Sequence, residues 1–255
     1  MRRIGVLICA ISIFATFAKA DDIRKPATQI EDNTFFDPTR KEVREESYHF
    51  STEYRLEVGF AQHWQRNHDI TFPDQYLNGI RLGATFTFNL PIHFSLQTGL
   101  LYSLLYGKNE QHWRSVTAPT TQAEYITHHI LAHNFTVPIR MYYTIPVWKQ
   151  LNILFYTGPQ LHIGLAQNDY MKTHLSDEAK AWMVSQSIPV EPYDRMTDEL
   201  VRANIQWGIG MGIEWDRYRL QGGYDFGLNN MVKHKKIPNQ YMSEWGWFVS
   251  FCYRF

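Results

Sequence analysis

The sequence predicts an all-β protein, an eight-stranded antiparallel up-and-down β-barrel of the type that spans an outer membrane. Eight segments alternate between apolar and polar residues, and alternately short and long connections join them. Successive side chains of a strand point to opposite faces, so this alternation gives each strand one apolar face. Aromatic residues make up 15% of the chain although its mean hydropathy is −0.37. A barrel with an apolar lipid face and a polar lumen accounts for both values.

The C-terminal residues show the alternation most clearly. Every odd position from Trp245 to Phe255 is aromatic except Val249, whereas the even positions are mostly small or polar. A tilted transmembrane strand needs about 9–11 residues, and this segment is long enough. The eight predicted strands are residues 54–64, 79–88, 92–106, 135–143, 151–165, 204–215, 218–228 and 245–255.

The connections between these strands fall into two classes. Three are brief, at 89–91, 146–150 and 216–217, and the other four are long and polar, near 65–78, 107–132, 166–203 and 229–244. Short periplasmic turns and long extracellular loops are typical of outer-membrane barrels. A soluble sandwich or lipocalin-like barrel would instead place glycine and arginine on the outside of a tryptophan-rich core, which disfavours that alternative.

Two prolines fall inside predicted strands, where a closed barrel has no free edge to accommodate them. Pro138 lies in the fourth strand and Pro159 in the fifth. Because proline has no N–H to donate, each predicts either a neighbouring β-bulge or a local opening of the wall, and a bulge is favoured.

The N-terminal residues have the layout of a secretory signal peptide. Arg2 and Arg3 precede an uncharged apolar run, and Ala18-Lys19-Ala20 follows it. We therefore expect a signal peptide at 1–20, a periplasmic N-terminal segment at 21–50 and the barrel at 51–255. Removal of the signal would leave 22 basic and 25 acidic residues. This balance gives no indication of a nucleic-acid partner.

Charged residues on the polar strand faces predict a filled lumen. Side chains just fill the interior of an eight-stranded barrel, and buried charges are costly unless they are paired. We therefore expect one hydrogen-bonded ion network that plugs the lumen, with His93 and His162 beside it. The network is predicted to contain Arg55, Glu57, Arg81, Arg140, Glu214, Arg219, Asp225 and Arg254. The alternative is a narrow path for ions or solutes.

The outer segments contain further candidate residues. His129 and His133 would share the inner face of an extended fourth strand and are the candidate metal or heme ligands, although no tight metal motif surrounds them. We therefore predict no cofactor. His112, Ser115 and Asp169 also lie in long loops, but their spacing matches no acyl-transfer motif, so no catalytic residue is predicted either.

The third long loop contains a predicted short helix. Ser176 can cap its N-terminus, and the side chains of Leu175, Ala179, Trp182 and Met183 would share one face. Such a helix could fold onto the barrel rim, cover the barrel mouth or form a docking ridge.

Several of these segments resemble the PorT-type outer-membrane β-barrel family common in Bacteroidetes. The resembling segments are Val137-Pro138-Ile139 with Tyr142-Tyr143, Tyr156-Thr157-Gly158-Pro159, Gly208–Glu214, Tyr224–Asn230 and the terminal Tyr253-Arg254-Phe255. The resemblance implies an outer-membrane location and gives Tyr253 and Phe255 the role of a signal for the barrel-assembly machinery. One branch of the family serves type IX protein secretion.

The functional hypothesis is a non-enzymatic barrel, surrounded by outer-membrane lipid, whose extracellular loops bind another envelope or secretion protein. Two alternatives remain open. One is a narrow channel or a barrel that binds a small solute or lipid, and the other is a lipid-modifying enzyme.

Overall fold

The computed structural model describes residues 51–67, 74–90, 93–113, 124–148, 150–185, 191–233 and 240–255. The strands are β1 (Ser51–Asn67), β2 (Gln75–Asn89), β3 (Phe94–Trp113), β4 (Glu124–Trp148), β5 (Leu151–His174), β6 (Tyr193–Asp194), β7 (Ala203–Trp215), β8 (Tyr218–Gly227) and β9 (Met242–Arg254). The helices are α1 (Asp177–Ser185) and α2 (Arg195–Asp198). The predicted signal peptide and N-terminal segment lie outside the described residues. Within those ranges, no helix is long and apolar enough to span a membrane.

Eight of the strands close into a ring. Each pairs antiparallel with its neighbours in the order β1, β2, β3, β4, β5, β7, β8, β9, and β9 pairs again with β1. The closing ladder runs from Arg55 opposite Arg254 to Asn67 opposite Met242. The short β6 pairs with Asn168 and Asp169 of β5, beyond Ile163, where the ladder between β5 and β7 ends. The predicted eight-stranded antiparallel barrel is confirmed.

The outer face of the ring is a band of large apolar side chains. Val58 of β1 is 58% exposed, Met211 of β7 60% and Phe251 of β9 45%. From Trp245 to Phe255, a tilted β9 covers roughly 25 Å, which is the height of the lipid-facing band of outer-membrane barrels. Large exposed apolar surfaces of this kind mark contact with lipid. The alternating polar side chains, and the thiol of Cys252, are buried inside the ring.

At the end opposite the short turns, three strands continue beyond the ring. The ladder between β3 and β4 reaches Trp113 and Glu124, and the ladder between β4 and β5 reaches Tyr125 and His174. These stretches, 107–113, 124–134 and 164–174, are called the extension below. Much of the predicted loops 107–132 and 166–203 is therefore strand. Alternation did not indicate this because no lipid requires an apolar outer face here.

The two strand prolines interrupt pairing without shifting it. Residues 139–140 of β4 and 158–159 of β5 lie opposite one another outside the ladder, and the pairs on either side keep one register. Pro159 lies in this gap, and Pro138 lies in a similar gap of the β3–β4 ladder, where 137–138 lie opposite 99–100 without a change of register. The missing N–H group of each proline explains its gap. Gly158 has φ +153°, a backbone conformation that side chains rarely adopt. The favoured prediction of bulges beside these prolines is wrong, since the register shifts of this ladder lie elsewhere.

The predicted short helix is present as α1. Ala179 N donates to Ser176 Oγ over 3.3 Å, so the serine caps the helix as expected. Met183 is buried, whereas Trp182 is 50% exposed. The tryptophan therefore does not share the buried face that the sequence spacing gave it.

Candidate functional site in the barrel lumen

Glycines on the lumen face of β7 and β8 make room for a large aromatic side chain from β5, the strand next to β7. A Cβ at Gly210 would lie 2.3 Å from Cζ of Tyr156. Real side-chain contacts of that length do not occur, so the glycine face and the tyrosine depend on each other. The glycine repeat of β7 thus provides the space in which the lumen network forms.

The layer nearest the short turns is built around two carboxylates. Glu214 lies 3.0 Å from Arg55 and 2.7 Å from Arg219, and Glu53 lies 2.5 Å from Arg55 and 2.9 Å from Arg254. Arg55 and Arg219 are buried, whereas the side chain of Arg254 is 28% exposed at the rim. Buried guanidinium groups are stable here because each meets a carboxylate.

The next layer contains a second set of paired charges. Glu57 lies 3.2 Å from Arg81 Nε and also accepts hydrogen bonds from Ser250 Oγ and Gln221 Nε2. Arg140, which is fully buried, lies 3.7 Å from Asp225 Oδ1. The structure therefore places all eight residues of the predicted network on the lumen side of the barrel.

Aromatic rings fill the space between these charges. Tyr142 and Tyr156 are 5.0 Å apart by ring centroid, and Phe248 lies 6.4 Å from Tyr156. The guanidinium of Arg81 lies 4.0 Å above the ring of Phe248, and that of Arg140 lies 4.7 Å above Tyr156. Such cation–π contacts satisfy cations that lack a full set of hydrogen bonds.

Above the aromatic layer, two histidines approach one carboxylate. His63 Nδ1 lies 2.9 Å, and His162 Nε2 3.2 Å, from Glu244 Oε1. All three residues are buried, none of them more than 5% exposed. We call these residues the His–Glu cluster. Its donor atoms lie within 4.8 Å of one another, a spacing that could hold a metal ion.

Sequence reasoning placed His162 inside the barrel but missed the other two members of the cluster. His63 and Glu244 were assigned to a predicted strand end and a loop. The parity of each strand contained the signal. His63 follows Arg55 and Glu57 at even spacing, and Glu244 precedes Ser250 in the same way. Continuing either alternation along its strand, past the last apolar position, would have found them.

The extracellular end of the lumen is covered by β6 and α2. Arg195 is buried and donates to Gln75 and to Glu199. Met196, Leu200, Met231 and Met242 form an apolar cluster over the opening. We call β6, α2 and this apolar cluster the cap. Within the part of the chain that the structure describes, the cap covers the extracellular end of the lumen.

An aspartate at the start of α2 holds the cap in place. Asp194 accepts hydrogen bonds from Gln167 N at 2.9 Å, Thr197 Oγ1 at 2.9 Å and Met196 N at 3.1 Å. Burial alone would raise the pKa of Asp194, but these hydrogen bonds outweigh it and lower the pKa below its ordinary value.

The structure corrects the predicted positions of three histidines. His129 and His133 lie on the outer face of β4, where their Nδ1 atoms contact the hydroxyls of Tyr106 at 2.8 Å and Tyr102 at 2.6 Å. Alternation runs unbroken along β4, so these odd positions share the side of Phe135 and cannot face the lumen. His93 is exposed in a turn rather than inside the barrel.

The remaining candidates are not assembled into one site. Ser115 lies outside the described residues, and Asp169 is buried, where its carboxylate bonds His128 at 2.9 Å. Tyr253 lies at the end that carries the short turns, with its ring 5.5 Å from Tyr218 and 5.2 Å from Phe255. The role of these terminal aromatics as an assembly signal stays a prediction.

A ring of eight antiparallel strands with an apolar outside and a charged, filled inside defines an integral outer-membrane β-barrel protein. Solved structures with low sequence identity are similar to the chain. Ail, the attachment invasion locus protein of Yersinia pestis, is 10% identical with a TM-score of 0.34, covering 80% of this chain and 98% of that one. The outer membrane protease OmpT of Escherichia coli is 7% identical with a TM-score of 0.38, covering 82% and 99%.

Neisserial surface protein A is 8% identical with a TM-score of 0.35, covering 80% of this chain and 99% of that one. A search of curated protein sequences gives no significant match. The family described as outer membrane protein beta-barrel domain matches residues 36–233. The chain belongs to this family, and its place is the outer membrane.

Proposed function

We propose that the chain is a plugged, non-catalytic barrel that binds another envelope or secretion protein through the extension of β3, β4 and β5. The extension is the observation that carries this proposal. β5 continues to His174, although its ladder with β7 ends at Ile163. At about 3.3 Å per residue, this is roughly 36 Å of strand beyond the ring.

The extension offers a partner both backbone and side-chain contacts. Among the described residues, 170–174 of β5 pair with β4 alone, so the other edge of this stretch presents backbone N–H and C=O groups. An exposed sheet edge is a template for a strand from another protein. The outward residues Tyr170 and Lys172 are exposed and give that edge an aromatic and a cationic contact.

The filled lumen supports a binding role over a channel. Arginine–carboxylate pairs, three adjacent aromatic rings and the cap occupy successive layers from Arg55 up to Met196. A continuous solute path would need these buried pairs to separate, and separation leaves charges uncompensated. The enzyme alternative has less support, since Asp169 is bonded to His128 and buried rather than open to a lipid substrate.

Site-specific photo-crosslinking in intact cells tests the proposal. A photoreactive amino acid replaces Tyr170 or, in a second variant, Lys172 of the extension, and the matched control replaces Met211 on the lipid face. We expect a discrete protein adduct from position 170 and none from position 211. Absence of an adduct at both 170 and 172, with the barrel present in the membrane at normal level, would contradict partner binding through this edge.

A further inference from the structure

We propose that the His–Glu cluster binds one divalent transition-metal ion, with Zn²⁺ the best match, and thereby ties β5 to β1 and β9 across the lumen. His63 lies on β1, His162 on β5 and Glu244 on β9. The inference is independent of the partner-binding proposal, because the cluster lies inside the barrel and not in the extension.

The spacing of the donor atoms fits a metal ion. Ligand atoms placed tetrahedrally at about 2.1 Å from Zn²⁺ are about 3.4 Å apart. Glu244 Oε1 lies 2.9 Å from His63 Nδ1 and 3.2 Å from His162 Nε2, and all three donors fall within 4.8 Å. Small side-chain shifts would therefore bring them to ligand distance.

A buried nitrogen without a hydrogen-bond partner is the second observation. His162 Nε2 forms no hydrogen bond of acceptable geometry within the described chain, although Glu244 Oε1 is close. The other ring nitrogen, Nδ1, lies 3.1 Å from Thr136 Oγ1. If Nδ1 donates its proton to the threonine, Nε2 presents a lone pair to the cluster, as a metal-binding histidine does.

Amide side chains hold the carboxylate in position. Gln65 Nε2 donates to Glu244 Oε2 at 3.1 Å, and Gln206 Nε2 donates to Oε1 at 3.3 Å. Gln65 and Gln167 also exchange two hydrogen bonds with each other. A carboxylate fixed in this way has lost its freedom before binding, which favours coordination. A bound ion would displace the long contact from Gln206.

The donor set indicates the class of metal. Two imidazole nitrogens and one carboxylate suit Zn²⁺ and its neighbours, whereas Ca²⁺ and Mg²⁺ prefer sites made of oxygen atoms alone. Three protein ligands leave a fourth position for a water molecule. Without a metal, the same residues would form a hydrogen-bonded triad in which Glu244 accepts a hydrogen bond from His63 Nδ1, and this is the competing account.

Metal binding to the folded, tag-free protein distinguishes the two accounts. The protein is purified in detergent, stripped of metal with EDTA and titrated with Zn²⁺. Bound metal is measured by inductively coupled plasma mass spectrometry. We expect about one Zn²⁺ per chain, and at least tenfold weaker binding for His162→Gln and Glu244→Gln. His129→Gln, at an outward position, is the matched control and should bind as the parent does. Less than a tenth of an equivalent in the parent would overturn the proposal.

Two further measurements decide the question even if the ligand variants do not fold. Thr136→Val leaves all three ligands in place but removes the partner of His162, and should weaken Zn²⁺ binding roughly tenfold. X-ray absorption of the zinc-loaded parent should show imidazole scattering from two histidines. A spectrum without it, or equal binding by the parent and a folded Glu244→Gln variant, would support the metal-free triad.

Discussion

The hydroxyl of Tyr156 lies against the backbone of Gly223, so a Cβ at that glycine would be 1.8 Å from Oη. Gly223 of β8 and Tyr156 of β5 lie on either side of β7 and form a matched pair, in which the tyrosine ring fills the space over the glycine. We expect Gly223→Ala to lower the free energy of unfolding by about 1–3 kcal/mol, as overpacking does. Gly222→Ala is the matched control, since its nearest neighbour is Phe248 O at 3.2 Å. Urea unfolding in liposomes measures both.

A double-mutant cycle tests whether the tyrosine hydroxyl is the cause. Tyr156→Phe removes the atom nearest to the new methyl group, so Gly223→Ala should cost less in that background. Additive free energies, within about 0.5 kcal/mol, would show that the two residues do not interact as described.

The carboxylate of Glu214 joins Arg55 and Arg219, and its loss leaves the buried guanidinium of Arg219 without a carboxylate, whereas Arg55 keeps Glu53. We expect Glu214→Gln to destabilise the barrel by about 3–5 kcal/mol. Glu178→Gln, on the exposed first turn of α1, should change stability by less than about 0.5 kcal/mol. A comparable, small effect of both variants in the same unfolding assay would argue against a structural network.

Much of the barrel could be predicted from the sequence because lipid imposes a strict apolar face. The odd positions of β9 show this, and so does the lumen placement of Arg140 and Asp225. Where lipid ends, the constraint ends, and the continuation of β5 to His174 was not predicted. The His–Glu cluster was missed for a related reason, since strands were ended where apolar alternation faded although parity continued to His63 and Glu244.

The filled lumen should not conduct ions. In planar bilayers we expect no steady openings of the purified protein, because Arg81, Arg140 and the ring of Phe248 occupy the cross-section. A general porin recorded in the same bilayers verifies the assay. Steady openings of porin size would be incompatible with the ion network as a plug.

The cap should respond to acid through Asp194. Because the hydrogen bonds of this carboxylate lower its pKa in the folded protein, it stabilises the cap above its ordinary pKa of 3.8 and loses the effect as the pH falls through the lower, folded value. The protection of the Gln167 and Met196 amides, which is the intrinsic exchange rate at each pH divided by their measured hydrogen-exchange rate, should therefore stay high from pH 7 to near 4. It should fall below that pH. Asp194→Asn should remove this pH dependence, and an unchanged profile would assign it to another group.

Cysteine accessibility in intact liposomes tests the central claim, that the outer face meets lipid and the lumen is closed to water. Single cysteines are placed at Val58 and Val249 outside and at Ser103 and Ser250 inside, in a Cys252→Ser background. We predict that the outer pair reacts only with a lipid-soluble maleimide and that the inner pair reacts with neither this reagent nor a water-soluble thiosulfonate. Rapid reaction of Ser103→Cys and Ser250→Cys with the water-soluble reagent would contradict the plugged barrel.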